Sequence, residues 1–100
     1  MSIHTQGELF VPFHMEQIYA ERAAANGNAD WLVSRAIRDV NHCGFTPGEQ
    51  IEAFADMVAW VETGARPGGD AILDRAAVAD PNFGCAYTRI QRPGVPACAP

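Results

Sequence analysis

The residue best suited to acid–base chemistry is His42, which lies in a loop directly before a strongly signalled helix. Thr46 can cap that helix, Pro47 suits its first position, and Glu49 completes a Thr-x-x-Glu capping box. The helix is amphipathic, so it can pack firmly and anchor the loop while the imidazole ring stays free. A histidine held in this way is suited to act as a general base.

The elements that must position this histidine are two strands and two main helices. Gly7, Gly27 and Gly64 mark the breaks between them. The predicted elements are a strand at 1–5, a helix at 12–26, a strand at 31–37, a helix at 47–63, a short helix at 71–78 that begins at Asp70, and an irregular tail at 80–100.

The order strand, helix, strand, helix predicts a single small α/β unit over residues 1–100, with two parallel strands joined by a right-handed crossover. Parallel sheets normally contain several strands and are covered on both faces. Two strands alone leave two open edges and are marginally stable. The sequence therefore predicts part of a larger α/β sheet, which associates with a partner chain or with itself.

The three cysteines are far apart, and no spacing typical of a zinc site is present, so no metal site is predicted. One disulfide is possible among Cys43, Cys85 and Cys98, and the sequence does not choose its pairing. Cys43 is interpreted as a packing residue or as half of a disulfide. It is not interpreted as a partner of His42, because neighbours in a loop rarely point at each other.

Other notable residues are given structural roles. The apolar stripe of the second helix, with Ile51, Phe54 and Val58, is interpreted as core. His14 falls in the first turn of the first helix and is expected to face solvent, and Glu49 is interpreted as a helix cap.

Composition narrows the class of partners. The chain has 100 residues, is 48% hydrophobic and has a net charge of −5, which argues against nucleic acid and anionic membranes as partners. No apolar run approaches the roughly 18 residues that suggest a membrane span. The first residues lack the basic and apolar regions of a signal peptide, so a cytoplasmic location is the default expectation, and the sequence does not establish it.

Three segments of the chain resemble the α/β-hydrolase family. Residues 7–12, Gly-Glu-Leu-Phe-Val-Pro, resemble the turn after the penultimate strand, which commonly reads Gly-(x)-Asp-x-x-Val-Pro and carries the acid of the catalytic triad. Residues 41–46, Asn-His-Cys-Gly-Phe-Thr, resemble the loop after the last strand, which often reads Gly-His-Cys-x-Phe-Thr and carries the triad histidine. Residues 60–67 are similar to the helix that follows this loop in bacterial esterase-like members. The resemblance as a whole extends over roughly residues 1–90.

The resemblance implies that Glu8 is the triad acid and His42 the general base of a serine hydrolase acting on carboxylic esters or related acyl bonds, with no cofactor. Glu8 stands where Asp is usual, and Asn41 stands where Gly is usual. The Gly-x-Ser-x-Gly nucleophile elbow is absent, since neither Ser2 nor Ser34 has the required glycines. The implied protein is a C-terminal portion that is inactive alone, with the nucleophile and the oxyanion hole either on a separate N-terminal hydrolase chain or lost.

A second hypothesis is a non-catalytic small α/β protein that associates through its exposed strands. An independently stable, monomeric domain in which Glu8 and His42 lie far apart would favour it.

Overall fold

The chain alternates strands and helices around a two-stranded sheet. A computed structural model describes residues 1–100. Its elements are β1 (Ser2–Thr5), α1 (His14–Ala25), a 3-10 turn (Ala29–Trp31), β2 (Ser34–Ile37), α2 (Pro47–Thr63) and α3 (Arg75–Ala79). The two strands are parallel, with Ser2 opposite Ser34 and Thr5 opposite Ile37. The predicted α/β class and parallel pairing are confirmed: the chain forms a small α/β domain with three α-helices.

The helix after the His42 loop begins and ends where the sequence predicts. The Thr46 hydroxyl accepts a hydrogen bond from the Glu49 amide at 3.2 Å, and the Glu49 carboxylate accepts one from the Thr46 amide at 2.8 Å. Gly64 ends α2 at φ 75°, in the left-handed region that glycine adopts without strain. No helix of the chain is both long enough and apolar enough to cross a bilayer.

The second strand is shorter than predicted. The 3-10 turn ends at Trp31, where the Trp31 amide donates to the Asn28 carbonyl at 3.0 Å, and β2 starts only at Ser34. The prediction that Trp31 lies in the strand is therefore wrong, because the turn after the Asn-Gly break continues through it. Helix α1 begins at His14, two residues later than predicted.

The short third helix also begins later than predicted. It starts at Arg75, and the Asp74 carboxylate caps it by accepting hydrogen bonds from the Ala76 and Ala77 amides. Asp70 is not its cap, because the Asp70 carboxylate instead accepts a hydrogen bond from the Ala36 amide of β2 at 2.8 Å.

One outer edge of the sheet is covered. The Asp70 amide donates to the Ser34 carbonyl at 2.8 Å, and the Asp70 carboxylate binds the Ala36 amide. The Thr88 hydroxyl accepts a hydrogen bond from the Arg38 amide at 2.9 Å, just beyond the strand. The expectation of two open edges is therefore wrong: these segments cover the outer edge of β2, and β1 keeps the open edge.

The buried apolar core is small. Its members are Val33, Ala36, Ile37, Ala53 and Ile72. The interpretation of Ile51 and Phe54 as core is wrong, since they are 68% and 64% exposed. Helix α2 buries Ala53 and Glu49 instead, and Val58 is half-buried, so the large apolar side chains that α2 leaves exposed are Ile51, Phe54 and Val61.

The C-terminal segment is irregular but tethered. No helix or strand follows Ala79, and a disulfide joins Cys85 to Cys98. Cys43 is unpaired and exposed. Both structural interpretations of Cys43 are therefore wrong, because the other two cysteines pair with each other and the Cys43 side chain faces solvent.

Candidate acid–base site

The segments that leave the carboxyl ends of the two strands bring Glu8 and His42 together. Parallel strands end at the same edge of a sheet, so the chain after Thr5 and the chain after Ile37 emerge side by side. Nδ1 of His42 contacts Oε1 of Glu8 directly. The expected proximity is therefore observed, and a catalytic role for the pair stays a prediction.

The pair combines a buried carboxylate with a half-exposed ring. The Glu8 side chain is 5% exposed and the His42 side chain 50% exposed. Burial acts to raise the pKa of Glu8, but hydrogen bonds from His42 and the Val11 amide outweigh it, and the pKa lies below its ordinary value. An ionised Glu8 accepts a hydrogen bond from Nδ1–H, which leaves the lone pair of Nε2 available to take a proton.

Gly7 sets the position of the Glu8 turn. Its amide donates to the Asp39 carbonyl at 2.9 Å, which ties this turn to the chain after β2. A Cβ on Gly7 would lie 2.9 Å from Val40 Cγ1 and 3.1 Å from Val40 Cα. The two segments approach this closely only because residue 7 has no side chain.

The His42 loop is fixed at both ends. The Thr5 hydroxyl donates to the Asn41 carbonyl at 2.9 Å, and the Asp39 carboxylate accepts from the Asn41 amide at 2.9 Å. Beyond the histidine, a Cβ on Gly44 would lie 2.6 Å from Asp39 Oδ2. The loop therefore folds tightly around the Asp39 carboxylate.

Arg92, from the irregular C-terminal segment, binds both sides of this loop. The sequence did not single it out. Its guanidinium donates to Asp39 Oδ2 at 3.0 Å, to Glu49 Oε1 at 2.8 Å and Oε2 at 2.7 Å, and to the Gly44 carbonyl at 3.1 Å. Asp39 precedes His42, whereas Gly44 and Glu49 follow it. We call Asp39, Glu49 and Arg92 the arginine clamp. No local pattern around Arg92 distinguishes it from an ordinary tail residue.

The clamp changes the titration of Glu49. Burial acts to raise the pKa of Glu49, but hydrogen bonds from Arg92 and from the Arg89 and Thr46 amides lower it from an ordinary 4.5 to about 2. Glu49 is therefore both the predicted cap and the partner of a buried arginine.

We expect this shift to make the folded chain less stable in acid. A carboxyl group whose pKa is lower in the folded state contributes stability above its unfolded pKa, and that contribution is lost as pH falls through the folded value. Urea unfolding from pH 6 to pH 2 should show Glu49→Gln to be less stable than the parent near neutrality. The difference in unfolding free energy between the parent and the variant should shrink as the pH falls from about 4.5 to about 2. An exposed control, Glu62→Gln, should leave the profile unchanged, and a gap that is constant with pH would contradict this account.

Cys43 lies next to the ring on its open side. Its Sγ is 3.8 Å from His42 Nε2, opposite the Glu8 contact. The expectation that these neighbours do not face each other is wrong, because Sγ lies within contact distance of the ring, in a loop where Cys43 has a positive φ of 50°.

The acid–base pair sits on an open surface. Phe10 approaches the His42 ring edge-on at 5.6 Å between centroids, and Phe10 is itself exposed. A groove lined in part by Trp31 and Trp60 lies at the other end of the sheet, away from the pair. No group of three or more His, Cys, Asp or Glu side chains is arranged to hold a metal ion. The pair thus has an orienting acid and a base, and neither residue lines one of the main cavities of the chain.

Comparison with known proteins gives one weak relationship to a hydrolase. The chain is similar to an o-phthalyl amidase from Xanthobacter agilis, with 27% identity over 67 residues. These residues are 67% of this chain and 15% of the amidase, so the chain spans a small fraction of that protein. No family model matches the chain. No solved structure matches it either. The similarity is consistent with a hydrolase-like segment.

Proposed function

We propose that this chain is the C-terminal portion of a serine hydrolase of the α/β-hydrolase type, acting on carboxylic esters or related acyl bonds. The observation that carries the proposal is the contact between Glu8 and Nδ1 of His42 at the carboxyl edge of two parallel strands. The similarity to an amidase supports the same broad class of reaction.

In this proposal Glu8 orients the ring and His42 moves the proton. The Glu8 carboxylate holds the Nδ1–H tautomer and stabilises the imidazolium that forms during reaction. Nε2 takes the proton of an attacking serine and later returns it to the leaving group. Ser34 is not that serine, because it is buried and its hydroxyl donates to Glu16 at 3.0 Å. The nucleophile and the oxyanion donors come from a segment outside these residues.

The open edge of β1 and the bare face of α2 are where the rest of such a sheet would join. Segments around Asp70 and Thr88 occupy the outer edge of β2, so a further strand can add only beside β1. Added helices or strands would also cover the exposed apolar side chains of α2. The partner in this proposal is an N-terminal hydrolase chain.

We expect the chain to self-associate when that partner is absent. Phe54 and Val61 are 64% and 81% exposed, and burying an apolar side chain of this size gains about 1.5–3 kcal/mol. Sedimentation velocity should show a sedimentation coefficient that rises with concentration. A double variant, Phe54→Gln with Val61→Gln, should reduce the rise, whereas Glu62→Gln on the same helix should not. A single compact monomer at all concentrations would refute the expectation.

The proposal is tested by supplying the missing segment. The DNA directly upstream of the Met1 codon should encode a Gly-x-Ser-x-Gly protein, and co-expression with it should produce a complex that hydrolyses p-nitrophenyl butyrate. The chain alone should show no sustained turnover, since missing oxyanion donors alone cost about 10²–10³ in rate. The lack of any such reading frame, or an inactive but well-folded complex, would contradict the proposal.

The alternative function is a non-catalytic protein that associates through its exposed strands. The contact between Glu8 and His42 counts against it, and the observation that favours it is the open surface around His42, whose side chain is 50% exposed. An assembly of this chain that is unaffected in every property by His42→Ala would support this alternative.

A further inference from the structure

Three side chains form a continuous line at the edge of the sheet. Glu8 contacts Nδ1 of His42, and Sγ of Cys43 lies 3.8 Å from Nε2. A nucleophile, a base and a group that orients the base are the three parts of an activated nucleophile, and their separations are often looser without substrate.

The hydrogen-bond directions among these three side chains suit proton transfer from the thiol to Nε2. Glu8 is buried and its pKa is lowered, so it accepts a hydrogen bond from Nδ1–H. The lone pair of Nε2 then faces the Cys43 thiol. The thiol is exposed and takes no part in the disulfide, so an electrophile can reach it.

The backbone at Cys43 is also unusual. Its φ of 50° makes it the one residue other than glycine with a positive φ. This conformation is uncommon for a residue with a side chain, and such conformations cluster at functional sites. In this conformation Sγ lies 3.8 Å from Nε2 of His42.

We propose that Cys43 is an acyl-acceptor site, in which the Cys43 thiol, activated by His42 and Glu8, takes the acyl group of an activated carboxylic ester. The inference rests on the proposed role of His42 as a general base. It goes beyond the proposed hydrolysis because it gives this chain a nucleophile of its own, which reacts once rather than turning over.

The reaction balances without a further reagent. Nε2 takes the thiol proton as Sγ attacks the ester carbonyl carbon. A carbon–sulfur bond forms, and the carbon–oxygen bond to the leaving group breaks. The leaving alcohol or phenol departs with the proton from Nε2 or releases it to solvent, and a thioester remains on Cys43. The chain builds no oxyanion hole around this carbonyl, so hydrolysis of the thioester is slow and acylation stops at one equivalent.

The test is the rate of acylation of the 100-residue chain by p-nitrophenyl acetate at pH 7. We expect one equivalent of p-nitrophenol, with the acetyl group located on Cys43 by peptide mass spectrometry. The matched control is an exposed thiol without a histidine, made as Glu21→Cys in a Cys43→Ser chain. An isolated thiol is only a few per cent ionised at this pH, so activation should make Cys43 about tenfold faster than the control.

The base is tested separately. His42→Ala and His42→Asn should both reduce acylation of Cys43 to the control rate, and Glu8→Gln should reduce it in the same direction. Circular dichroism shows whether each variant is folded, and two His42 variants guard against the failure of one. Equal rates for Cys43 and the control thiol, or rates unchanged in a folded His42 variant, would overturn the inference.

This assay is independent of the hydrolase test. Acylation without hydrolysis by the complex would refute the proposed function and keep the acyl-acceptor site. Hydrolysis by the complex without faster acylation of Cys43 would support the proposed function and refute the acyl-acceptor site.

Discussion

The complex with the upstream hydrolase segment should lose about 10⁴–10⁶-fold in kcat when His42 is replaced by alanine. The reason is that Nε2 of His42 is the atom proposed to accept the serine proton, and Glu8 orients no other ring. Initial rates of p-nitrophenyl butyrate hydrolysis measure the effect. KM should change far less, since the ring is assigned to proton transfer and not to substrate binding.

Two variants separate catalysis from folding in that experiment. Glu8 accepts a hydrogen bond from the Val11 amide at 3.2 Å. Glu8→Gln keeps an oxygen that can accept this bond, but its neutral amide cannot stabilise the imidazolium as a carboxylate does. We expect a loss approaching 10⁴-fold, by analogy with the acid of other triads. His14→Ala removes an exposed histidine at the start of α1 and should leave the rate unchanged. A complex that keeps full activity in His42→Ala would remove His42 from the mechanism.

Replacing Arg92 with methionine should destabilise the chain by about 3–5 kcal/mol, because the change leaves two buried carboxylates without their cation. Asp39 and Glu49 are 4% and 3% exposed, so water cannot readily replace the guanidinium. Urea unfolding of the oxidised chain, followed by circular dichroism, measures the loss. An exposed arginine on α1, changed as Arg22→Met, should alter stability by no more than about 0.5 kcal/mol.

A combined variant shows whether the loss comes from unpaired charge. Arg92→Met together with Asp39→Asn and Glu49→Gln removes the cation and both anions. If stranded carboxylates cause the destabilisation, this triple variant should be more stable than Arg92→Met alone, in spite of its larger number of changes. A triple variant that is less stable by the sum of the single effects would show that packing of the arginine matters more than its charge.

The clamp also links stability to the proposed chemistry. Arg92 holds Asp39 on one side of His42, and Gly44 and Glu49 on the other. A ring positioned by a rigid loop loses less freedom when it reacts, which is the general advantage of a site supported by a second layer of contacts. Loosening the clamp should therefore affect His42 before it affects residues at the far end of the sheet.

Local sequence signals were sufficient for α2 and for the meeting of Glu8 with His42. The capping box and Pro47 act within one helical turn, so they fix the start of α2 without help from the rest of the chain. The resemblance of residues 7–12 and 41–46 to two hydrolase turns implied the pairing of Glu8 with His42, and parallel strands place both segments at one edge because their carboxyl ends share it. Such inferences succeed because they depend on a few neighbouring residues or on a general rule of topology.

Contacts between distant segments decided the rest. Arg92 contacts Asp39 and Glu49 across sequence separations of 53 and 43 residues. Asp70 accepts a hydrogen bond from the edge of β2 and does not cap the nearby helix α3. The sequence pattern showed that α2 is amphipathic but not which of its faces the sheet would cover, and the structure buries Ala53 while leaving Phe54 bare. Only the tertiary structure decides these features, because each requires segments that the sequence order leaves far apart.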